Sequence, residues 1–146
     1  MQHAMRMSFV LIFGLVCLSL VSSSRAEDPA YVAELKKVVV ENSRANQEKD
    51  IKAAMATIHP NSPSYALTEK MSKQLFAAID LKYEVTSFKY IGADDTYAVA
   101  RASVKTTKKD ETQDFQDNEA QFMIAFRKDG DKWKVWSQSI LEIKKP

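Results

Sequence analysis

Along residues 27–146 apolar positions recur first at helical spacing and then at alternating spacing. Tyr31, Leu35, Val38, Val39 and Ala45 share one helical face, which predicts a first helix over 29–46. Asp28-Pro29 supplies its start: an acidic cap followed by proline at the first helical position. Asn46-Gln47-Glu48-Lys49 breaks the pattern, and Asp50 then caps a second, short helix. Its face is Ile51, Ala54, Met55 and Ile58, and Pro60 closes it. Pro60 and Pro63 also restrict their neighbours, so Asn61-Ser62-Pro63-Ser64 is a rigid loop. A third helix is predicted over 66–79, with Leu67, Met71, Leu75, Ala78 and Ile79 as its apolar stripe.

Four strands follow. Tyr83, Val85, Phe88 and Tyr90 predict a strand over 82–91, and the slip in alternation between Val85 and Phe88 marks a bulge. Gly92-Ala93-Asp94-Asp95 is a turn. Over 97–107, Ala98, Ala100, Ala102 and Val104 fall on one side, opposite Val99, Arg101 and Ser103. A polar connection over 108–113 leads to a long strand over 115–128, with Ala120, Phe122, Ile124 and Phe126 on one face. Asp129-Gly130-Asp131 is the strongest hairpin signal in the chain and introduces the last strand, 133–143. The fold class is therefore α+β: three N-terminal helices packed on a curved, four-stranded antiparallel sheet. Long twisted strands curl, and helices across the concave side enclose a cone-shaped space.

The front of the chain sets the compartment. Arg6 precedes an almost wholly apolar run from Met7 to Val21, the length of a signal-peptide core and short for a membrane span. Ser24-Arg25-Ala26 has small residues where a signal peptidase reads, which places cleavage before Glu27. Residues 1–26 are thus read as a signal peptide and 27–146 as a single domain, periplasmic or secreted, with no membrane attachment after cleavage. Cys17 follows Val16 rather than the small residue that lipoprotein processing needs. As the only cysteine, it also excludes a disulfide scaffold.

Charge looks basic until that segment is removed. The chain carries 21 Lys and Arg against 19 Asp and Glu. Arg6 and Arg25 leave with the leader, so the signs balance, and the lysines are interleaved with acids as in Lys108-Lys109-Asp110-Glu111. No basic stripe remains to collect phosphates, so no nucleic-acid partner is expected. With 45% hydrophobic residues, three Gly and four Pro, wholesale disorder and collagen-like repeats are excluded as well.

The order of elements, with two stretches of sequence, resembles the nuclear-transport-factor-2-like superfamily, which includes ketosteroid isomerase, scytalone dehydratase and the SnoaL-like cyclases. Lys49-Asp50-Ile51-Lys52-Ala53-Ala54-Met55-Ala56-Thr57-Ile58-His59-Pro60 is similar to its second helix, an acidic cap and apolar helix ending at a His-Pro turn. Arg127-Lys128-Asp129-Gly130-Asp131-Lys132-Trp133-Lys134-Val135 is similar to its terminal hairpin. Phe115-Gln116-Asp117-Asn118-Glu119 also resembles secreted members. The resemblance covers nearly all of 29–143. It implies a cone-shaped, cystatin-like fold with a ligand-sized pocket and a homodimer formed through the outer sheet face. Neither the carboxylate–tyrosine set of the isomerases nor the histidine–aspartate pair of the dehydratases maps onto this chain.

Candidate chemistry is sparse. His59 is the only histidine after residue 26, so no multi-histidine metal site and no cofactor is expected. At a helix end it is either a structural residue or a general base. Tyr65, beside Ser62 and Ser64, and Tyr31, at the head of the first helix, are the hydroxyl donors that would join His59 at a ligand. Glu119 and Gln121 are pocket groups if their face is the concave one, and solvated or at a dimer face otherwise. Unbroken alternation puts Trp136 on one face with Gln138 and Ile140, a candidate interface. The expected function is an exported module that binds a small apolar ligand or a protein. The alternative is an isomerase, dehydratase or cyclase with His59 as general base.

Overall fold

The computed structural model describes residues 27–145, so the expected signal peptide and Cys17 lie outside the described residues. Three helices, α1 (Tyr31–Gln47), α2 (Ile51–Ala56) and α3 (Tyr65–Ala78), precede four strands. These are β1 (Leu81–Ala93), β2 (Tyr97–Lys108), β3 (Asn118–Asp129) and β4 (Lys132–Lys144). All neighbours are antiparallel in the order β1-β2-β3-β4. Among the described residues no helix is long and apolar enough to cross a membrane.

Helix starts and stops follow local chemistry, with one correction. The first helix is entered at Ala30, without a side-chain cap, so Asp28 does not play the capping role expected of it. Its C-terminus closes as a Schellman motif: the Lys49 amide donates to the Asn46 carbonyl, and Asp50 donates to Ala45. That closure puts Lys49 at φ +57, a left-handed conformation more often given to glycine. Asp50 then caps α2 as expected, its carboxylate accepting from the Ala53 amide at 2.9 Å.

Beyond α2 the chain does not simply turn away. Ile58 forms a parallel bridge with Val135. The Val135 amide donates to the Thr57 carbonyl, and the His59 amide donates to the Val135 carbonyl. The segment 57–59 thereby covers one end of the β4 edge, which would otherwise present unpaired backbone groups.

Both edge strands carry two bulges. Register slips past Thr86 and Ile91 on β1, and past Trp136 and Leu141 on β4. The first confirms the bulge expected between Val85 and Phe88. A bulge bends its strand and increases its twist, so four of them at the margins curl the sheet around α1. The turn after β1 falls at 94–96, later than expected, because Gly92 and Ala93 still pair with β2. The polar connection runs on to Asp117, so β3 begins at Asn118 rather than at Phe115. Gly130, at φ +65, is the first of two residues in the β3–β4 hairpin, where a primed turn requires a positive φ.

The concave floor is built from small residues. Ala98, Ala100 and Ala102 are fully buried, which lets the Leu35 and Val39 side chains of α1 sit directly on β2. Phe126, Ile124, Trp133 and Val135 close the core on the β3–β4 side. Replacing Ala100 with Leu inserts three carbons where helix and sheet are already in contact. The expected result is a loss of about 1–3 kcal/mol in chemical denaturation, with the slope of the transition unchanged.

One expectation fails. No residue of α3 is buried, and its apolar stripe faces outward. The helix instead rests on a half-buried stripe of Tyr65, Thr68, Ser72 and Phe76.

Candidate functional site

The cone retains a cavity of about 180 Å³ between the C-terminal half of α1 and the concave sheet. Its apolar wall is Val39, Val104, Phe122 and Ile124, and its polar wall is Asn42, Ser43, Asn46, Tyr83, Thr106 and Gln138. It is comparable to the engineered cavity, roughly 150 Å³, that accommodates a benzene molecule. The lining is thus part apolar and part polar.

The polar wall is organised from α1. Asn42 Nδ2 donates to Thr57 Oγ1 at 2.8 Å, and the Thr57 hydroxyl donates to the Ala54 carbonyl at 2.7 Å. Asn46 Nδ2 donates to both the backbone and the side-chain oxygen of Asn42. The Asn42 amide is thus tied to the C-terminal end of α2, and the Asn46 amide to Asn42. Burial pushes the Tyr83 hydroxyl above its ordinary range, so it is an uncharged donor at neutral pH. No carboxylate, histidine or lysine lines this space.

Two larger hollows lie outside the cone. A groove of about 670 Å³ between α1, α2 and the start of β4 is bordered by Glu34, Lys37, Glu41, Arg44, Lys132 and Lys134. A second, of about 390 Å³, lies between α2 and α3 and includes Met55, Ile58 and Tyr65. Among the described residues no cluster of His, Cys, Asp and Glu could hold a metal ion.

His59, Tyr65 and Tyr31 do not converge. The His59 ring is 4% exposed, and both its nitrogens are committed to the backbone. The Asn61 amide donates to Nδ1, which fixes the proton on Nε2, and Nε2 donates to the Lys128 carbonyl at 3.2 Å. The ring meets Trp136 edge-on, at 5.2 Å between centroids. It has no nitrogen free for a substrate proton and borders none of the three hollows. Tyr31 points to the other end of the cone, where its hydroxyl shares a 2.7 Å hydrogen bond with Tyr90 and its ring packs on Trp133.

The grouping of Trp136 with Gln138 and Ile140 is also corrected. The bulge at Trp136 breaks the alternation on which it rested. Gln138 and Ile140 pair with Ile124 and Phe122 of the concave face, and Gln138 lines the cavity. Trp136 lies on the convex side, against Tyr97, with the Arg127 guanidinium 4.8 Å from its ring centre. Since Phe122 and Ile124 face inward, Glu119 and Gln121 belong to the outer face.

A family profile described as "Anti-sigma-I factor RsgI9, C-terminal domain" matches residues 37–145, most of the chain. The chain belongs to this family. Among curated proteins none matches it. Solved structures similar to this RsgI9-type domain share its fold at low identity. One is a candidate aromatic ring hydroxylase from Novosphingobium aromaticivorans, 14% identical over 82% of this chain and 96% of the other, with a TM-score of 0.64. Another is a protein of unknown function with a cystatin-like fold from Nostoc punctiforme, 11% identical over 74% and 87%, at 0.62. A ketosteroid isomerase-like protein from Erwinia carotovora atroseptica is 17% identical over 79% and 99%, at 0.58. The RsgI9-type domain is thus a cystatin-like, nuclear-transport-factor-2-like cone.

Most cavity residues of this domain were not anticipated. Asn42 and Asn46 occupy positions that the apolar stripe of α1 passes through, and polar residues intruding on a buried stripe are the signal that could have found them. Gln138 was hidden by the bulge.

The tyrosine pair gives a test. Tyr90 is pushed up to about 12, first by its hydrogen bond to Tyr31 and then by burial. A value above the ordinary 10.0 means that the stabilisation is complete below pH 10 and is lost as pH rises towards 12. In an alkaline absorbance titration Tyr31→Phe should bring phenolate formation at Tyr90 to lower pH; an unmoved titration would refute the coupling.

Proposed function

We propose that this domain is an exported recognition module that holds a small, uncharged, polar-edged molecule in its cone and carries out no chemistry on it. The composition of the cavity wall carries the reading: amides, hydroxyls and hydrocarbon surround the space. A ligand with a net charge would be desolvated there without a counter-charge, whereas a neutral ring or amide would satisfy the Asn46, Thr106 and Gln138 groups. Chemistry of the isomerase or dehydratase kind requires a proton-transfer group at the cavity. The commitment of both His59 nitrogens to backbone removes the candidate that the sequence offered. The family supports the same reading, since it takes its name from a domain of an anti-sigma factor, a regulator. Export rests on the apolar run and the cleavage signature within residues 1–26.

The test is a nitrogen-15 NMR screen of the domain against a panel of small neutral amides, alcohols and aromatics alongside carboxylates and amines. Neutral members should shift the side-chain amides of Asn42, Asn46 and Gln138, and Phe122→Trp, which narrows the cavity, should weaken the response. Shifts confined to the outer grooves, equal binding of charged members, or turnover of any member would sink the reading.

A further inference from the structure

Charge on the convex face of the sheet falls into two regions. At one end a row of alternating sign crosses the strands: Glu84 lies opposite Lys105, Lys105 opposite Glu119, and Glu119 opposite Lys144. Glu142, beside this row, is bridged to Lys144 at 3.7 Å. Every acid at that end therefore has a cation next to it. Towards the β3–β4 hairpin the balance is lost, because the same face carries Lys89, Arg101 and Arg127. Among the described residues none of these three pairs with a carboxylate, and Asp129, at the hairpin, is held by Lys134 at 2.7 Å. We propose that this cationic region docks an acidic segment of another protein. One carboxylate of the segment meets Arg127, a second meets Arg101, and an apolar side chain between them rests on Val99, Met123 and Ala125.

The two arginines differ from ordinary surface cations. The Arg127 guanidinium lies 4.8 Å from the ring centre of Trp136 and 5.7 Å from that of Tyr97. Stacking fixes its plane and leaves its N–H edge to a planar carboxylate, so little side-chain freedom is lost on binding. Trp136 stands at a β4 bulge, which turns its ring onto this face. Tryptophan, tyrosine and arginine are also the residues that dominate binding at protein interfaces. Arg101 lies directly opposite Lys89, a like-charge pair that costs the sheet stability. Its Nε is buried without a hydrogen-bond partner, so no group of the domain neutralises it. A bound carboxylate relieves that repulsion.

Spacing defines the segment. Arg127 shares a row with Tyr97, and Arg101 follows four residues along β2, about 13 Å away at roughly 3.3 Å per residue. An extended chain repeats that spacing, so acids at i and i+4 reach both arginines while the residue at i+2 falls between them. The half-buried Val99, Met123 and Ala125 receive it. A second copy of this chain is a poor occupant, because the acids of its own convex face are already matched by Lys105 and Lys144.

The test is a nitrogen-15 NMR titration of the domain with the peptide acetyl-Glu-Ser-Leu-Ser-Glu-amide. Saturable shifts are expected at the Trp136 indole N–H and at the Nε–H of Arg101 and Arg127. Added salt should weaken the binding, and Arg127→Gln and Arg101→Gln should each weaken it about fivefold. Circular dichroism checks that both variants keep their fold, and the same peptide with glutamine at both glutamate positions gives a control that leaves the protein unaltered. Shifts confined to other surfaces, equal binding of the glutamine peptide, or arginine variants that bind like the parent overturn the proposal. So does glutarate binding as tightly as the peptide, which would make the site one for a small carboxylate. A free protein that sediments as a dimer with the Trp136 indole shielded overturns it as well and gives the face to a second copy.

Discussion

Curvature of the sheet comes from its margins. The two inner strands run in register over their paired lengths, while β1 and β4 each carry two extra residues. Lengthening the edges relative to the middle bends the sheet around α1, and the buried alanines of β2 let that helix settle into the bend. A flat sheet of the same composition would leave Leu35 and Val39 touching fewer side chains and would expose the Phe126–Trp133 side of the core. The same bulges decide which side chains reach the cavity, because each one resets the alternation of its strand.

The elements themselves were legible. Helical spacing located α1, α2 and α3 to within two residues at most ends, and Asp50 and Gly130 marked a cap and a turn through well-defined local chemistry. The slip in β1 was visible because large apolar residues, Val85 and Phe88, stand on either side of it. The bulge at Trp136 was not, because Trp133, Val135, Trp136 and Ile140 are apolar on both sides of the slip. An apolar run carries no phase, so faces inferred across it are unconstrained. The site suffered most from this. Unbroken alternation groups Gln138 with Trp136, and Asn46 reads as part of the break that ends the first helix rather than as a cavity group.

His59 illustrates a different limit. A lone histidine at a helix end is compatible with catalysis or with structure, and its neighbours in sequence do not distinguish the two. What decides is the pairing of residues 57–59 with Val135, a contact between distant segments that brings the Lys128 carbonyl to Nε2. Ser62 is drawn into the same corner, its hydroxyl donating to the Trp136 carbonyl at 2.6 Å. The corner ties the chain between α2 and α3 to the sheet with polar contacts beside the buried Ile58 and Val135.

Because that corner anchors the chain ahead of α3, the third helix contributes little to the core. Elements with few buried contacts open locally at lower free energy than the whole domain, and α3, with no buried residue, is the element of this kind. Substitutions on its outer face are uncoupled from the stability of the cone, so drift there is tolerated by the fold even when it alters what the helix meets. The domain thus joins a packed cone to a surface helix that lends no buried residue to it.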